Sequence, residues 1–237
     1  MFSNIHIVLV NTSHPGNIGA TARAMKTMGF KNMSLVNPKM FPSPEADALA
    51  VGCKDILKNA KCFDDISSAI ESSNINIGFS ARPRRATIPV LSIDESINYI
   101  TENNNLTINL IFGNESSGLS NNELLLCDYI VSLPTHKDYT SLNLSAAVQI
   151  LTYELHKISI ENQSVNKVQS RLATSKERNF YINSLIELLK NTNFITHKNH
   201  ISLTQKIHIL FNKANLEKEE VNMLMGIISS INKKINK

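Results

Sequence analysis

Cysteine is scarce in this 237-residue chain: Cys53, Cys62 and Cys127 are scattered, odd in number and form no Cys-x-x-Cys pair. That excludes a disulfide framework and argues against a thiolate zinc site, so buried, reduced thiols are expected. No apolar run approaches the roughly 20 residues of a membrane-spanning helix, and the N-terminus lacks the charged-then-apolar layout of a secretory signal. A cytoplasmic protein with no membrane partner is expected. Clustered metal ligands are lacking too. His197 and His200 stand at i, i+3 spacing, but no carboxylate or cysteine accompanies them, and no metal is expected.

Glycine is thin where a dinucleotide-binding fold needs it. The apolar run "IHIVLV" (Ile5 to Val10) leads into "HPGNIGATARAM" (His14 to Met25), which offers only Gly16-x-x-Gly19. A Gly-x-Gly-x-x-Gly fingerprint is missing, and no acidic residue lies between Phe30 and Phe41 to hold a ribose. The nucleotide-loop reading fails on spacing. What remains is a turn at Pro15 and Gly16, with His14 as a turn residue, and then a helix. Its early turns present Asn17 and Arg23, while Ala20, Ala22 and Ala24 allow close packing. Arg23 is either a solvated helix residue or a functional one.

Enough apolar residues are present, 42%, for one good-sized α/β domain with an appendage or for two small domains. The net charge of +4 is unevenly spread: residues 161–237 hold 12 basic and 6 acidic side chains, giving +6, and residues 1–160 hold 12 and 14, giving −2. A basic C-terminal third fits contact with a phosphate backbone, although solvated helices in Lys- and Asn-rich sequences look the same.

Short β-rich runs alternate with helical patterns. Ile5 to Val10, Met33 to Val36, Ile75 to Phe79, Thr107 to Phe112 and Tyr129 to Leu133 read as mostly buried parallel strands. Helices are expected near Ile18 to Met28, Asp64 to Ser72, Ile93 to Thr101 and Asn121 to Cys127. This pattern gives an open, mostly parallel sheet covered by helices. A longer helix starts at Ser141, with Leu144, Val148, Leu151 and Leu155 on one stripe. The α/β domain is assigned to residues 1–158 and a polar linker to 159–170, where "IENQSVNKVQS" lacks apolar periodicity. Residues 171–237 read as a small three-helix extension, with Tyr181, Leu185 and Leu188 on one stripe and Val221, Leu224, Ile228 and Ile231 on another. Those faces pack on each other or on a partner.

Two further strand-to-helix junctions carry polar groups. "IFGNESSGLS" (Ile111 to Ser120) sets Asn114, Glu115, Ser116 and Ser117 between Gly113 and Gly118 at a strand's carboxyl end, where open α/β sheets bind ligands. It is also readable as a polar turn capping the next helix. "LPTHKDYTSLNLSAAVQILTYEL" (Leu133 to Leu155) enters the long helix through Ser141, Asn143 and Ser145. Ser141 is a candidate N-cap, and a helix N-terminus also offers free N–H groups to a ligand.

Together "NIGATARAMKTMGF", "IFGNESSGLS" and "SLNLSAAVQILTYEL" resemble the three ordered motifs of the SPOUT-class RNA 2′-O-methyltransferases, the TrmH-like group. Within it, the "FSARPRR" segment (Phe79 to Arg85), the close second and third motifs and the C-terminal helical extension resemble the tRNA cytidine/uridine 2′-O-methyltransferases acting in the anticodon loop. The resemblance implies an α/β fold with a deep C-terminal trefoil knot, an exception to unknotted topology, and a homodimer holding RNA across the knot interface. It implies S-adenosylmethionine as cofactor, S-adenosylhomocysteine as product and no metal. Carried over by motif, the cofactor pocket comprises Ser80, Ala81, Gly113, Asn114, Glu115, Gly118, Leu133, Ser141, Leu142 and Asn143. The glycines would admit the adenosyl group and Leu133 would pack on its base.

The implied catalytic set is Arg23, Asn17, Glu115, Ser141 and Asn143. Guanidinium rarely loses a proton, so Arg23 is expected to clamp the RNA phosphate and stabilise developing alkoxide charge. Asn17 would orient Arg23 or the substrate, Glu115 would tie down the knot loop or position Arg23, and Ser141 and Asn143 would shape the methyl-transfer pocket. Arg82, Arg84 and Arg85 are candidates for phosphate contact, with a solvated loop as the alternative, and Tyr139 stacks on a base or simply packs. The implied reaction is 2′-O-methylation of cytidine or uridine at tRNA position 32. Alternatives are ribosomal RNA or another tRNA site as target, a catalytically inactive RNA-binding module, and a nucleotide-using α/β enzyme of another type.

Overall fold

The computed structural model describes residues 2–81, 88–161, 172–196 and 200–235. Among the described residues its α/β body holds seven strands: β1 (Ile5–Val10), β2 (Asn32–Val36), β3 (Lys61–Phe63), β4 (Ile75–Phe79), β5 (Val90–Leu91), β6 (Ile108–Phe112) and β7 (Tyr129–Val131). They lie in the order β3-β2-β1-β6-β4-β7-β5, and every pairing is parallel. The parallel sheet expected from the buried apolar runs is present. The two strands absent from the sequence reading are its edges. β3 reads "KCF" and β5 has two residues, so neither supplies an apolar run.

Alternate residues of the central strands face opposite layers. Ile7 and Leu9 point to one core with Ile77, Phe79, Leu110 and Phe112; Val8 and Val10 point to the other with Ile111 and Ile130. The first layer is covered by α1 (Pro15–Thr27), α5 (Ile93–Glu102) and α7 (Leu144–Glu161), the second by α4 (Ile66–Ile70) and α6 (Asn121–Leu124). The stripe Leu144, Val148, Leu151 and Leu155 is buried as its spacing requires. α7 begins three residues after Ser141 and runs to Glu161, beyond the expected linker boundary. Residues 162–170 of that linker lie outside the described residues.

Two short helices, α2 (Pro44–Leu49) and α3 (Lys54–Lys58), have no counterpart in the sequence reading. α2 packs so closely on α1 that a Cβ at Gly19 would stand 2.1 Å from the Ala46 carbonyl oxygen. Gly19 is therefore a packing glycine, and the small residues of α1 serve helix contact as expected. Cys53 and Cys127 are buried free thiols, but Cys62 is exposed on edge strand β3, against expectation.

The C-terminal extension is three helices, α8 (Ser175–Asn191), α9 (His200–Lys213) and α10 (Lys218–Ile235), around Tyr181, Ile182, Ile207, Val221 and Ile228. It docks against the amino ends of β4 and β7. Arg178 Nη2 lies 2.8 Å from Asp128 Oδ1, and both side chains are buried. Asp128 Oδ2 also accepts from Asn76 N at 2.8 Å, Ser175 N donates to Ser73 O at 2.6 Å, and Asn76 Nδ2 donates to Ser175 Oγ at 2.7 Å. Ile231, expected within a packed stripe, is 40% exposed.

Candidate active site

The three motifs meet at the carboxyl ends of β1, β4, β6 and β7, the opposite end of the sheet from the docked extension. β1 delivers Ser13 and His14 and then α1 with Asn17. The loop after β6 delivers Glu115, and the loop after β7 delivers Ser141 to Asn143. Glu115 is the hub: Oε2 accepts from Ser13 N at 3.0 Å and Ser13 Oγ at 2.7 Å, and Oε1 accepts from Asn17 Nδ2 at 2.9 Å and His14 N at 3.2 Å. Partial burial pushes the carboxyl up, but the hydrogen bonds from Asn17 and Ser13 outweigh it and bring the pKa down to about 2. Glu115 is therefore ionised at neutral pH. It ties the β6 loop to the start of α1.

Asn17 continues the chain, accepting on Oδ1 from Asn143 Nδ2 at 3.1 Å. Asn143 Oδ1 accepts from Ser145 N at 2.9 Å and Ser145 Oγ at 2.7 Å. Asn143, not Ser141, thus closes the first turn of α7, because a side-chain oxygen satisfies orphan N–H groups only when it directly precedes the helix. Ser141 is exposed two residues earlier and lines a cavity.

That cavity has a volume of about 230 Å³. Of the ten expected cofactor residues, Ser80, Ala81, Gly113, Asn114, Glu115, Gly118, Leu133, Ser141 and Leu142 line it. Asn143 does not; it is turned to Asn17. The sequence reading missed the apolar floor, Phe79 stacked on Phe112 at 4.5 Å, with Val131, Leu144 and Ala147. Phe79, Phe112 and Val131 fall in the apolar strand runs and Leu144 on the stripe of the long helix, and a core residue at a strand's carboxyl end is also the first wall of a site there. Ser13 was also missed. A hydroxyl residue at the same strand end was its only sequence signal.

The expectation for Gly113 needs correction. A Cβ there would stand 2.2 Å from Gly118 C and 2.3 Å from Leu119 N, so returning loop backbone fills the space intended for a ligand. Gly118, at φ +67°, makes that return, and its N donates to Asn114 O at 2.8 Å.

The remaining residues lie around the cavity. Arg23 sits further along α1, exposed, on the side of the helix that carries the partly buried Asn17 and Ala20 and the exposed Thr27, and is not among the cavity-lining residues. The structure brings Asn17, Glu115 and Asn143 together and leaves Arg23 open to solvent. Tyr139 is 76% exposed, which removes the reading that it simply packs. Arg82, Arg84 and Arg85 lie outside the described residues, as does His197. Among the described residues no group of three His, Cys, Asp or Glu is placed to hold a metal ion, and no helix is long and apolar enough to cross a membrane.

A family model described as the SpoU rRNA Methylase family matches residues 4–153, and one described as "tRNA methyltransferase TrmJ, C-terminal domain" matches residues 179–237. The chain is similar to the tRNA (cytidine/uridine-2′-O-)-methyltransferase TrmJ of Sodalis glossinidius (strain morsitans), 39% identical over 235 residues covering 98% of this chain and 92% of that protein. It is similar in structure to TrmJ from Z. mobilis ZM4, with a TM-score of 0.85 and 27% identity, covering 96% of this chain and 98% of that one. A probable methylase family protein from Haemophilus influenzae Rd KW20 is 35% identical with a TM-score of 0.66, covering 100% and 99%.

Proposed function

The chain belongs to the SpoU methylase family of the SPOUT class, and on that premise we propose that it transfers a methyl group from S-adenosylmethionine to a ribose 2′-hydroxyl of tRNA, at cytidine or uridine 32 of the anticodon loop. The observation that carries this reading is the convergence of three distant motifs, through Asn143, Asn17 and Glu115, beside one cavity at the carboxyl edge of a parallel sheet. The relatives named for tRNA methylation along nearly the whole chain support the choice of RNA.

The cavity suits such a cofactor. Its apolar floor of Phe79 and Phe112 and its wall of Leu133 and Leu142 can take a purine, and Asn114, Ser117 and Ser141 can meet the ribose and the amino-acid part. Its volume of about 230 Å³ lies below the roughly 300–1,000 Å³ of ordinary ligand pockets, which favours a bent over an extended ligand. When bound, the cofactor supplies an activated methyl group. The chain's own contribution is alignment and charge. Asn17 and Asn143 hold the entry of α7 beside the cavity, and the anionic Glu115 fixes the loop that forms its rim. Arg23, exposed on the same helix as Asn17, clamps the phosphate next to the target ribose and stabilises charge developing on the 2′-oxygen. Tyr139 offers a face for a base.

The knotted threading and the homodimer belong to the same proposal. Support for the threading is that β7 lies between β4 and β5, two strands that precede it in the chain. The experiment is incubation of the protein with unmodified tRNA and labelled S-adenosylmethionine in the presence of a chelator, with mass spectrometry of the nucleosides. Methylation confined to ribose 32 supports the reading, and label only in ribosomal RNA, at another tRNA site or nowhere overturns it.

A further inference from the structure

The last helix carries an apolar face that its own chain leaves uncovered. α10 buries Val221 and Ile228 against α8 and α9, yet Met223, Ile227, Ile231 and Ile235 recur every fourth residue and are 61%, 50%, 40% and 47% exposed. With Met223 and Ile231 four residues, and Glu220 and Lys234 seven residues, to either side of Ile227, the row follows the near-seven-residue spacing by which two helices pair along their length. Beside it lies Gly226, with nothing within 4 Å of where its Cβ would stand. Glycine inside a helix is destabilising, so its presence beside an open ridge is explained by close approach of another backbone.

The charges say what approaches. The first turn of α10 carries Lys218, Glu219 and Glu220, with Glu220 Oε2 accepting from Glu217 N at 2.8 Å, and the last turn carries Lys233 and Lys234. By helical angle Glu220 and Lys234 both fall on the exposed ridge. An antiparallel copy of α10 with its two-fold axis at Ile227 pairs Ile227 with itself, Met223 with Ile231 and Glu220 with Lys234, and leaves Ile235 beside Glu219 at the ends of the contact. Such an isologous contact is self-complementary by construction. A parallel copy would set Glu220 on Glu220 and Lys234 on Lys234.

We propose that the exposed ridge of α10 is a self-association surface, taken by α10 of a second copy of this chain in antiparallel orientation about Ile227. This surface is separate from the α/β body and does not rest on the RNA reading. In the assembly it places two basic extensions side by side, each held to its own body by the Arg178–Asp128 pair.

The full-length chain tests it. In a Cys62→Ser background, whose other two thiols are buried, Ile227→Cys is expected to give a covalent dimer on mild oxidation, because a residue on the axis meets its own copy. Asn222→Cys, exposed on another side of α10, is the control and is expected to give at least tenfold less. Lys234→Glu added to Ile227→Cys should slow dimer formation severalfold, and Glu220→Lys added to both should restore it. Absence of the covalent dimer in an Ile227→Cys chain with unchanged circular dichroism, equal yield from Asn222→Cys, or no rescue by the charge exchange would each overturn the antiparallel assignment.

Discussion

Asn17 and Asn143, 126 residues apart, share a hydrogen bond of 3.1 Å, and the remaining amide of Asn17 binds Glu115 at 2.9 Å. Three loops from three strands are thereby held as one unit by a neutral, a neutral and an anionic side chain. Glu115→Gln is expected to unfasten it, since the new NH2 group would face donors in either orientation, those of Ser13 at one position or those of His14 and Asn17 at the other. Leaving such groups unpaired costs about 1–3 kcal/mol. Urea unfolding measures the loss, and single-turnover methyl transfer should fall with it. An unchanged midpoint and rate would remove Glu115 from its place as hub.

The same carboxylate makes a pH-dependent contribution. Its folded pKa, about 2, lies below the ordinary value of 4.5, so its share of stability is present above about 4.5 and disappears as pH falls toward about 2. The stability difference between the wild type and Glu115→Gln is therefore expected to be full at pH 7 and to shrink steadily below about pH 4.5. Denaturant midpoints across this range check it, and a difference constant with pH would contradict the sign.

Arg23→Ala is expected to remove most methyl transfer while leaving S-adenosylmethionine affinity unchanged, because Arg23 stands outside the cavity lining. The loss should be about a hundredfold or more at saturating tRNA, the magnitude for one donor that acts mainly in the transition state. Arg23→Lys should recover little, since an ammonium lacks the planar fork that holds a phosphate. Rapid-quench kinetics with calorimetry of cofactor binding separates the two effects.

Gly113→Ala should damage the site through its backbone. The added methyl would meet Gly118 and Leu119 at 2.2–2.3 Å, so the returning loop must open. Cofactor affinity is expected to fall together with thermal stability, and affinity lost at unchanged stability would favour direct obstruction of a ligand instead.

Arg178→Ala leaves Asp128 without its cation in a buried site, a change that costs about 3–5 kcal/mol. Hydrogen exchange should rise in α8 and along the amino ends of β4 and β7, while the carboxyl-end cavity stays protected. Truncation after residue 166 removes the same contacts and the basic surplus of residues 167–237, so tRNA binding should weaken and lose much of its salt dependence. A truncated chain as stable and as avid for tRNA as the whole would refute both expectations.

The sequence by itself determined the parallel sheet, because strands buried on both faces must be written as continuous apolar runs, and Ile5 to Val10 and Ile75 to Phe79 match their strands end to end. It also determined which loops form the site, since glycines and short polar residues after such runs mark the carboxyl edge. Edge strand β3 escaped because an exposed "KCF" has no pattern to read. Tertiary structure alone decided that Asn143 serves Asn17 and not the cavity, that Gly113 is bare for its own loop, and that Arg178 reaches Asp128. Each of these joins residues far apart in sequence or depends on the path of a loop, and periodicity reports only which face a residue occupies. The same limit holds on α10. Its spacing marks Ile228 and Ile231 alike as apolar-face residues, but only packing against α8 and α9 covers the first and leaves the second in water, where a hydrophobic side chain needs a partner.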